Sequence, residues 1–378
     1  MLSGPRPWAL GSGAEGSTWR GASVSSSHSS SRPVLPAIWQ VGVPPLLRKG
    51  RTPLMKNVLL TEPIQEDGLS LLRARDDVNL IMAPDAEPET LRGLLPGVHG
   101  VVVRLAKLPA EMLSLSNDLE VVSRHGVGCD AIDVEHLTGR GIPVAIASGA
   151  NSTSVAEHTF GLMLSLARRQ REQDAAVREG RFHDRGQLIA TDLEGSRLLI
   201  VGFGRIGRKV ARIARAFGME VTVADIALDR PLADELGCKA VEDFRPELPD
   251  ADFVTVHVPL DDSTAHMISA EEYGQMKPGA FILKCARGGI VDEAATLRAL
   301  EAGSLAGAGI DAFSVEPPPL DDEVFSKLLS RPDVLVAPHT GAASKGAMRM
   351  MAIMAAQNVL DCFDGTLKTD CVFNQEVL

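Results

Sequence analysis

Three side chains in the last quarter of the sequence carry complementary chemistry: Arg287 in CARGGIVDE, Glu316 in DAFSVEPPP and His339 in APHTGAAS. A guanidinium can grip a carboxylate through two parallel hydrogen bonds and polarise the carbonyl beside it. An imidazole can exchange a proton with that carbonyl's oxygen, and a neighbouring carboxylate orients the ring and favours its protonated form. Taken singly, the same residues read as a surface Arg, a Glu at a helix start before Pro317, and a loop His. Other chemistries fit less well. No GxSxG elbow supports Ser–His–Asp hydrolysis, and the histidines show no HExxH pairing, so no metal is expected.

Each of the three follows an apolar run, which places them at strand ends. Runs at Leu198–Val201, Val221–Ala224, Phe253–Val258, Ala280–Leu283, Gly309–Ala312 and Val334–Ala337 alternate with helix-length segments. That alternation predicts a parallel sheet with helices on both faces. The first run opens LLIVGFGRIGRKVARIARAF, in which Val210, Ile213, Ala214 and Phe217 recur at helical spacing, so the glycines fall where a strand hands over to a helix. Gly202 permits the tight turn, Gly204 lets a pyrophosphate approach the backbone, and Gly207 lets the helix pack on its strand. Asp225 ends the next strand 18 residues beyond Gly207, near the offset of about 20 for the acid that binds an adenine ribose. This dinucleotide fingerprint favours NAD over NADP.

The preceding segment shows the same alternation without a fingerprint, with strands at Val58–Leu60, Val78–Met82, Val101–Val103, Leu119–Val122 and Ile142–Ala147. The glycines of His125-Gly126-Val127-Gly128 follow a strand end and read either as a plain turn or as a backbone cradle for a carboxylate. Ser154 and Glu157 have capping-box spacing, and the apolar residues after them predict one long helix running towards Gly180 as a bridge between domains. A further helix is expected within 341–363.

Composition bounds the rest. The 378 residues suffice for two domains, and no apolar run approaches the length of a membrane span. A net charge of −11 gives no overall attraction for nucleic acid or anionic membranes. The five cysteines form no CxxC pair, and their odd number argues for reduced thiols in the cytoplasm. Residues 1–54 are rich in Ser, Gly and Pro, basic, and acidic only at Glu15. They read as a disordered leader, either a transit peptide or translated upstream sequence with the true start at Met55. The second reading is preferred, because helical amphipathicity is missing.

From about residue 55 to 378 the chain resembles the D-2-hydroxyacid dehydrogenases, particularly the phosphoglycerate dehydrogenase-like members. The resemblance rests on ordered motifs: GFGRIG with Asp225, His257-Val258-Pro259 with Thr264, MKPGA, ARGGIVDE around Arg287, Asp311 with Glu316, and His339-Thr340-Gly341. It implies a catalytic set of Arg287, Glu316 and His339. It implies cofactor contacts from Gly202, Gly204, Arg205, Ile206, Gly207, Asp225, His257, Pro259, Thr264, Ala286, Asp311 and Gly341, with Asp311 near the nicotinamide carboxamide. Substrate contacts would come from Arg104, Gly126, Val127, Gly128 and Arg287. The expected architecture is α/β, with two doubly wound Rossmann-like domains and a cleft between them. The substrate domain spans 55–152, completed by 341–378, and the NAD domain spans 153–340. The implied activity interconverts a 2-oxo acid and a D-2-hydroxy acid with NAD, in a homodimer. An NAD-sensing corepressor-like protein on the same scaffold is the alternative. Lys284 stands where many members carry Asn, a departure that bears on the setting of Arg287. The loop from Arg104 to Lys107 lacks the Ser and Thr common there, so a phosphoglycerate substrate does not follow. No room is seen after the last helix for a C-terminal regulatory domain.

Overall fold

The structure is a computed structural model that describes residues 54–378; the leader expected over 1–54 lies, apart from exposed Leu54, outside the described residues. The chain builds two parallel sheets. The first contains β1 (Lys56–Leu60), β2 (Val78–Met82), β3 (Gly100–Val103), β4 (Val121–Arg124) and β5 (Val144–Ile146) in the order β2-β1-β3-β4-β5. Helices α1 (Glu66–Arg73), α2 (Pro88–Leu94), α3 (Ala110–Leu113) and α4 (Val134–Gly139) connect its strands. After α5 (Ser152–Ala167) and α6 (Gln170–Arg178), the chain enters the second sheet.

That sheet is built from β6 (Arg197–Val201), α7 (Arg205–Ala216), β7 (Glu220–Ala224), α8 (Arg230–Glu235), β8 (Lys239–Val241), β9 (Phe253–Val256), α9 (Ala270–Gln275), β10 (Ala280–Lys284), α10 (Glu293–Glu301), β11 (Leu305–Ile310), α11 (Glu323–Ser330) and β12 (Val334–Val336). The strand order is β12-β11-β10-β9-β6-β7-β8. Its central strands are apolar on both faces because helices cover both, as in Phe253 and Phe281, whose rings stack at 4.9 Å. Fully burying such a side chain contributes roughly 1.5–3 kcal/mol. The last helix, α12 (Lys345–Phe363), returns to the first sheet. There Ala352, Ala355, Ala356 and Val359 pack against Val58, Leu60 and Leu72. Gly68 of α1 lies so close to the Ala352 carbonyl that any Cβ there would overlap it, so the two helices meet along small residues. No helix among the described residues is long and apolar enough to cross a membrane.

Several local expectations are corrected. The long helix from 154 towards Gly180 breaks after Ala167, where Arg169 takes a left-handed conformation (φ 51°) and binds Glu172 and the Gln187 carbonyl. Ser154 and Glu157 form no capping box, because α5 starts at Ser152 and the Ser154 hydroxyl donates to the Gly341 carbonyl at 2.7 Å. A capping box forms instead at Ser269 and Glu272 of α9. β4 and β11 lie about two to four residues away from their expected positions. β8 is a three-residue edge strand, too short to register as an apolar run.

Candidate active site

The second sheet changes direction beside β6: the chain moves outward to β8, then returns on the other side of β6 as β9. Loops leaving two such strands diverge and open a crevice at their C-terminal ends. Gly202 sits there at φ 100°, and a Cβ on it would lie 2.7–2.8 Å from the His257 carbonyl group. Only glycine lets the two loops pass. A Cβ on Gly207 would overlap the Gly202 oxygen, so the glycine seats α7 against the turn. Gly204 has the opposite surroundings, with nothing within 4 Å of its Cβ position. As the N-cap of α7 it supplies no side-chain cap, which leaves the helix's first amides to face an anion. Asp225 ends β7 beside this turn, its carboxylate accepting from the amides of Phe203 at 2.6 Å and Ala227 at 2.8 Å.

Arg287, Glu316 and His339 come together from the loops after β10, β11 and β12. His339 Nδ1 lies 2.9 and 3.0 Å from the two Glu316 oxygens, which leaves Nε2 as the nitrogen available to the cleft. Glu316 is itself oriented by the Phe313 amide at 3.0 Å. His339 has φ 53°, an uncommon conformation for a residue with a Cβ. Asp311 holds it there. Its carbonyl accepts from the His339 amide at 2.8 Å, and its carboxylate accepts from the amides of Thr340 at 2.8 Å and Gly341 at 2.9 Å. His158 Nε2 on α5 lies 3.3 Å from the same carboxylate. Burial works against the Asp311 charge, yet His158 and the two amides hold its carboxyl below the usual carboxylate range.

The opposite wall comes from the first sheet. Gly128 is pressed so closely against the Arg287 guanidinium that a Cβ would overlap it, and Arg287 Nε lies 3.3 Å from Asp130. Arg124, partly buried beside the loop, donates to the carbonyls of Gly128 at 2.8 Å and His125 at 2.9 Å. Burial pulls the Arg124 pKa below its usual value. Between the walls lies a cleft of about 540 Å³, lined by Val127, Gly128, Arg205, Ile206, His257, Pro259, Ala286, Arg287, Asp311 and His339.

Other expected residues sit differently. Arg104 and Thr264 do not line this cleft. The Thr264 hydroxyl is spent inside its own loop, donating to the Pro259 carbonyl at 2.7 Å. The Arg104 amide, with those of Leu105 and Ala106, donates to the carboxylate of Glu62 at 2.6–3.0 Å. The His257 ring turns inward to Thr255 at 2.9 Å, its Nδ1 is buried without a partner, and burial pushes its pKa down to about 4. Sequence reasoning missed Glu62, Arg124, Asp130 and His158. Only Asp130, in the loop following Gly128, carried a positional signal.

Residues 160–341 match the NAD-binding domain model of the D-isomer-specific 2-hydroxyacid dehydrogenases. Hydroxypyruvate reductase from Thermotoga maritima is 35% identical over 80% of this chain and 96% of its own. The chain belongs to the D-isomer-specific 2-hydroxyacid dehydrogenase family. D-3-phosphoglycerate dehydrogenase from Bacillus subtilis is 38% identical over 82% of this chain but 58% of that protein. The chain spans about half to three-fifths of the length of the phosphoglycerate dehydrogenases it matches. Among solved structures, D-lactate dehydrogenase from Aquifex aeolicus, complexed with NAD and lactic acid, superposes with a TM-score of 0.73 at 28% identity, covering 82% of this chain and 96% of that one. The two parallel-sheet α/β units seen here match that fold.

Proposed function

We propose that this protein is an NAD-dependent oxidoreductase that interconverts a small 2-oxo acid and a D-2-hydroxy acid. The observation that carries the reading is the convergence of Arg287 and the His339–Glu316 pair on a cleft that also contains the open N-terminus of α7. The cofactor fits these residues: Gly204 leaves the space a diphosphate needs, and Asp225 presents a fixed carboxylate where a ribose would lie. When bound, NADH supplies the hydride. Residues 153–340 form the cofactor domain in this reading, and 55–152 with 341–378 form the substrate domain.

Arg287 binds the substrate carboxylate with its fork and aligns the carbonyl. The exposed Asp130 contact at 3.3 Å is one that a substrate carboxylate can replace. The Val127 and Gly128 backbone, braced by Arg124, lines the same cleft, whereas the expected Gly126 amide is spent on the Arg124 carbonyl at 2.8 Å. His339 Nε2 gives its proton to the forming alkoxide in reduction and takes it back in oxidation, while Glu316 keeps Nδ1 as the nitrogen turned away from substrate. Asp311 acts from beneath by fixing the His339 loop. We place the protein in the cytoplasm as a homodimer, and its five cysteines are free.

A screen of glyoxylate, pyruvate and hydroxypyruvate for NADH consumption tests this function. Turnover of at least one is expected. An intact protein that binds NADH and consumes none with any 2-oxo acid would instead support the sensing alternative.

A further inference from the structure

Lys284 is the last residue of β10, and its side chain is only 1% exposed. Its Nζ lies 2.6 Å from Oε1 of Glu293, the first residue of α10, whose side chain is 7% exposed. Residues 285–292 join these two positions and include Arg287, so the contact closes the base of the loop that presents the guanidinium. The same Glu293 oxygen accepts from the Ser314 amide at 2.9 Å. Ser314 belongs to the separate loop after β11 that carries Glu316. The two loops also touch directly, since a Cβ on Gly288 would overlap the Phe313 carbonyl.

We propose that Lys284 is a positioning residue whose buried ion pair with Glu293 staples the Arg287 loop to the Glu316 loop. The inference rests on the proposed function for its catalytic meaning. Stability alone accounts poorly for the pair. Taking two charges out of water costs several kcal/mol per ion, and a well-packed apolar pair of similar volume is often as stable or more so. An apolar pair cannot direct an acceptor at the Ser314 amide. Lys284 fixes the Glu293 carboxylate, Glu293 fixes Ser314, and the Phe313 amide next to it orients Glu316 against His339. One buried cation thereby sets the distance between the carboxylate-binding and proton-transferring groups.

The test uses the full chain, with Lys284→Met and the double variant Lys284→Met/Glu293→Gln. The single variant leaves a buried carboxylate unpaired and loses melting temperature. The double variant has no unpaired charge and should recover most of that loss. In both, amide hydrogen exchange is expected to rise at least about tenfold in 285–292 and in 313–316 together, with residues 198–224 unchanged. In both, kcat/KM for the 2-oxo acid should fall at least about tenfold while the Kd for NADH stays within about twofold. Wild-type exchange in either loop, or wild-type kcat/KM in the folded double variant, would overturn the staple and leave an ion pair that only stabilises. If the wild-type chain reduces no 2-oxo acid, the proposed function fails, and the exchange measurement still decides whether the loops are stapled.

Discussion

The two sheets share a winding pattern, yet they treat their switch points in opposite ways. In the first sheet the loops after β1 and β3 diverge, and the chain fills the space itself, with Glu62 taking the amides of residues 104–106. In the second the loops after β6 and β9 diverge around Gly202 and Gly204, and Asp225 takes the Phe203 and Ala227 amides but none from α7, leaving the start of that helix uncapped. One crevice is sealed by a built-in anion, and the other is left for an external one. In the proposed function two halves of similar winding therefore divide the work: the first contributes a substrate wall from the loop after β4, and the second contributes the cofactor site.

If that division is right, the largest effect should come from the residue that joins the halves. Arg287→Lys keeps the charge but loses the fork, and is expected to lower kcat/KM at least about 100-fold, or near 3 kcal/mol, with NADH affinity unchanged. Steady-state kinetics with a fluorescence titration of NADH checks this; near-wild-type kcat/KM removes Arg287 from the site.

Each half also holds a histidine just past a strand end, His125 buried and His257 partly buried with its Nδ1 enclosed. Burial pushes both His257 and His125 down to about 4. Because their folded pKa values lie below the unfolded value near 6.5, the unfolded chain takes up protons first as pH falls. Their contribution is present above pH 6.5 and is lost progressively between 6.5 and 4. Replacing His257 by Gln should remove on the order of 3 kcal/mol of that pH dependence. Denaturation free energies measured across pH 4–7 for wild type and variant decide it, and parallel curves would contradict the burial argument.

Glu62→Ala sharpens the contrast between the crevices. Removing the carboxylate frees three amides and should cost about 1–3 kcal/mol of stability. It should also make the first crevice an anion site, so that sulfate raises the variant's melting temperature more than the wild type's. Equal responses to sulfate would show that Glu62 seals nothing. A smaller effect is expected at Asp225, which repels a 2′-phosphate. Asp225→Ser should raise the NADPH-to-NADH ratio of kcat/KM about tenfold, and an unchanged ratio would remove Asp225 from cofactor choice.

The contrast also marks where sequence stops being informative. The second crevice was legible because its parts are local: three glycines across one strand-to-helix turn, and an acid at the next strand end. Arg287, Glu316 and His339 were legible as polar residues following apolar strands. Glu62 was not, because its meaning depends on amides about forty residues away that only the fold brings near. Asp311 was noticed for a cofactor contact, while its hold on the Thr340 and Gly341 amides depends on backbone geometry with no sequence pattern. The break at Arg169 escaped because helical periodicity continues on both sides of it, and a single left-handed residue leaves the apolar spacing nearly unchanged.

In the proposed mechanism His339 moves the proton while the cofactor is held by other residues of the same cleft. His339→Ala separates those two roles in one protein. NADH affinity by fluorescence titration should be unchanged, with reduction of the best 2-oxo acid slowed by about 1,000-fold or more through loss of a general acid. Turnover within a few-fold of wild type at unchanged NADH affinity would contradict it.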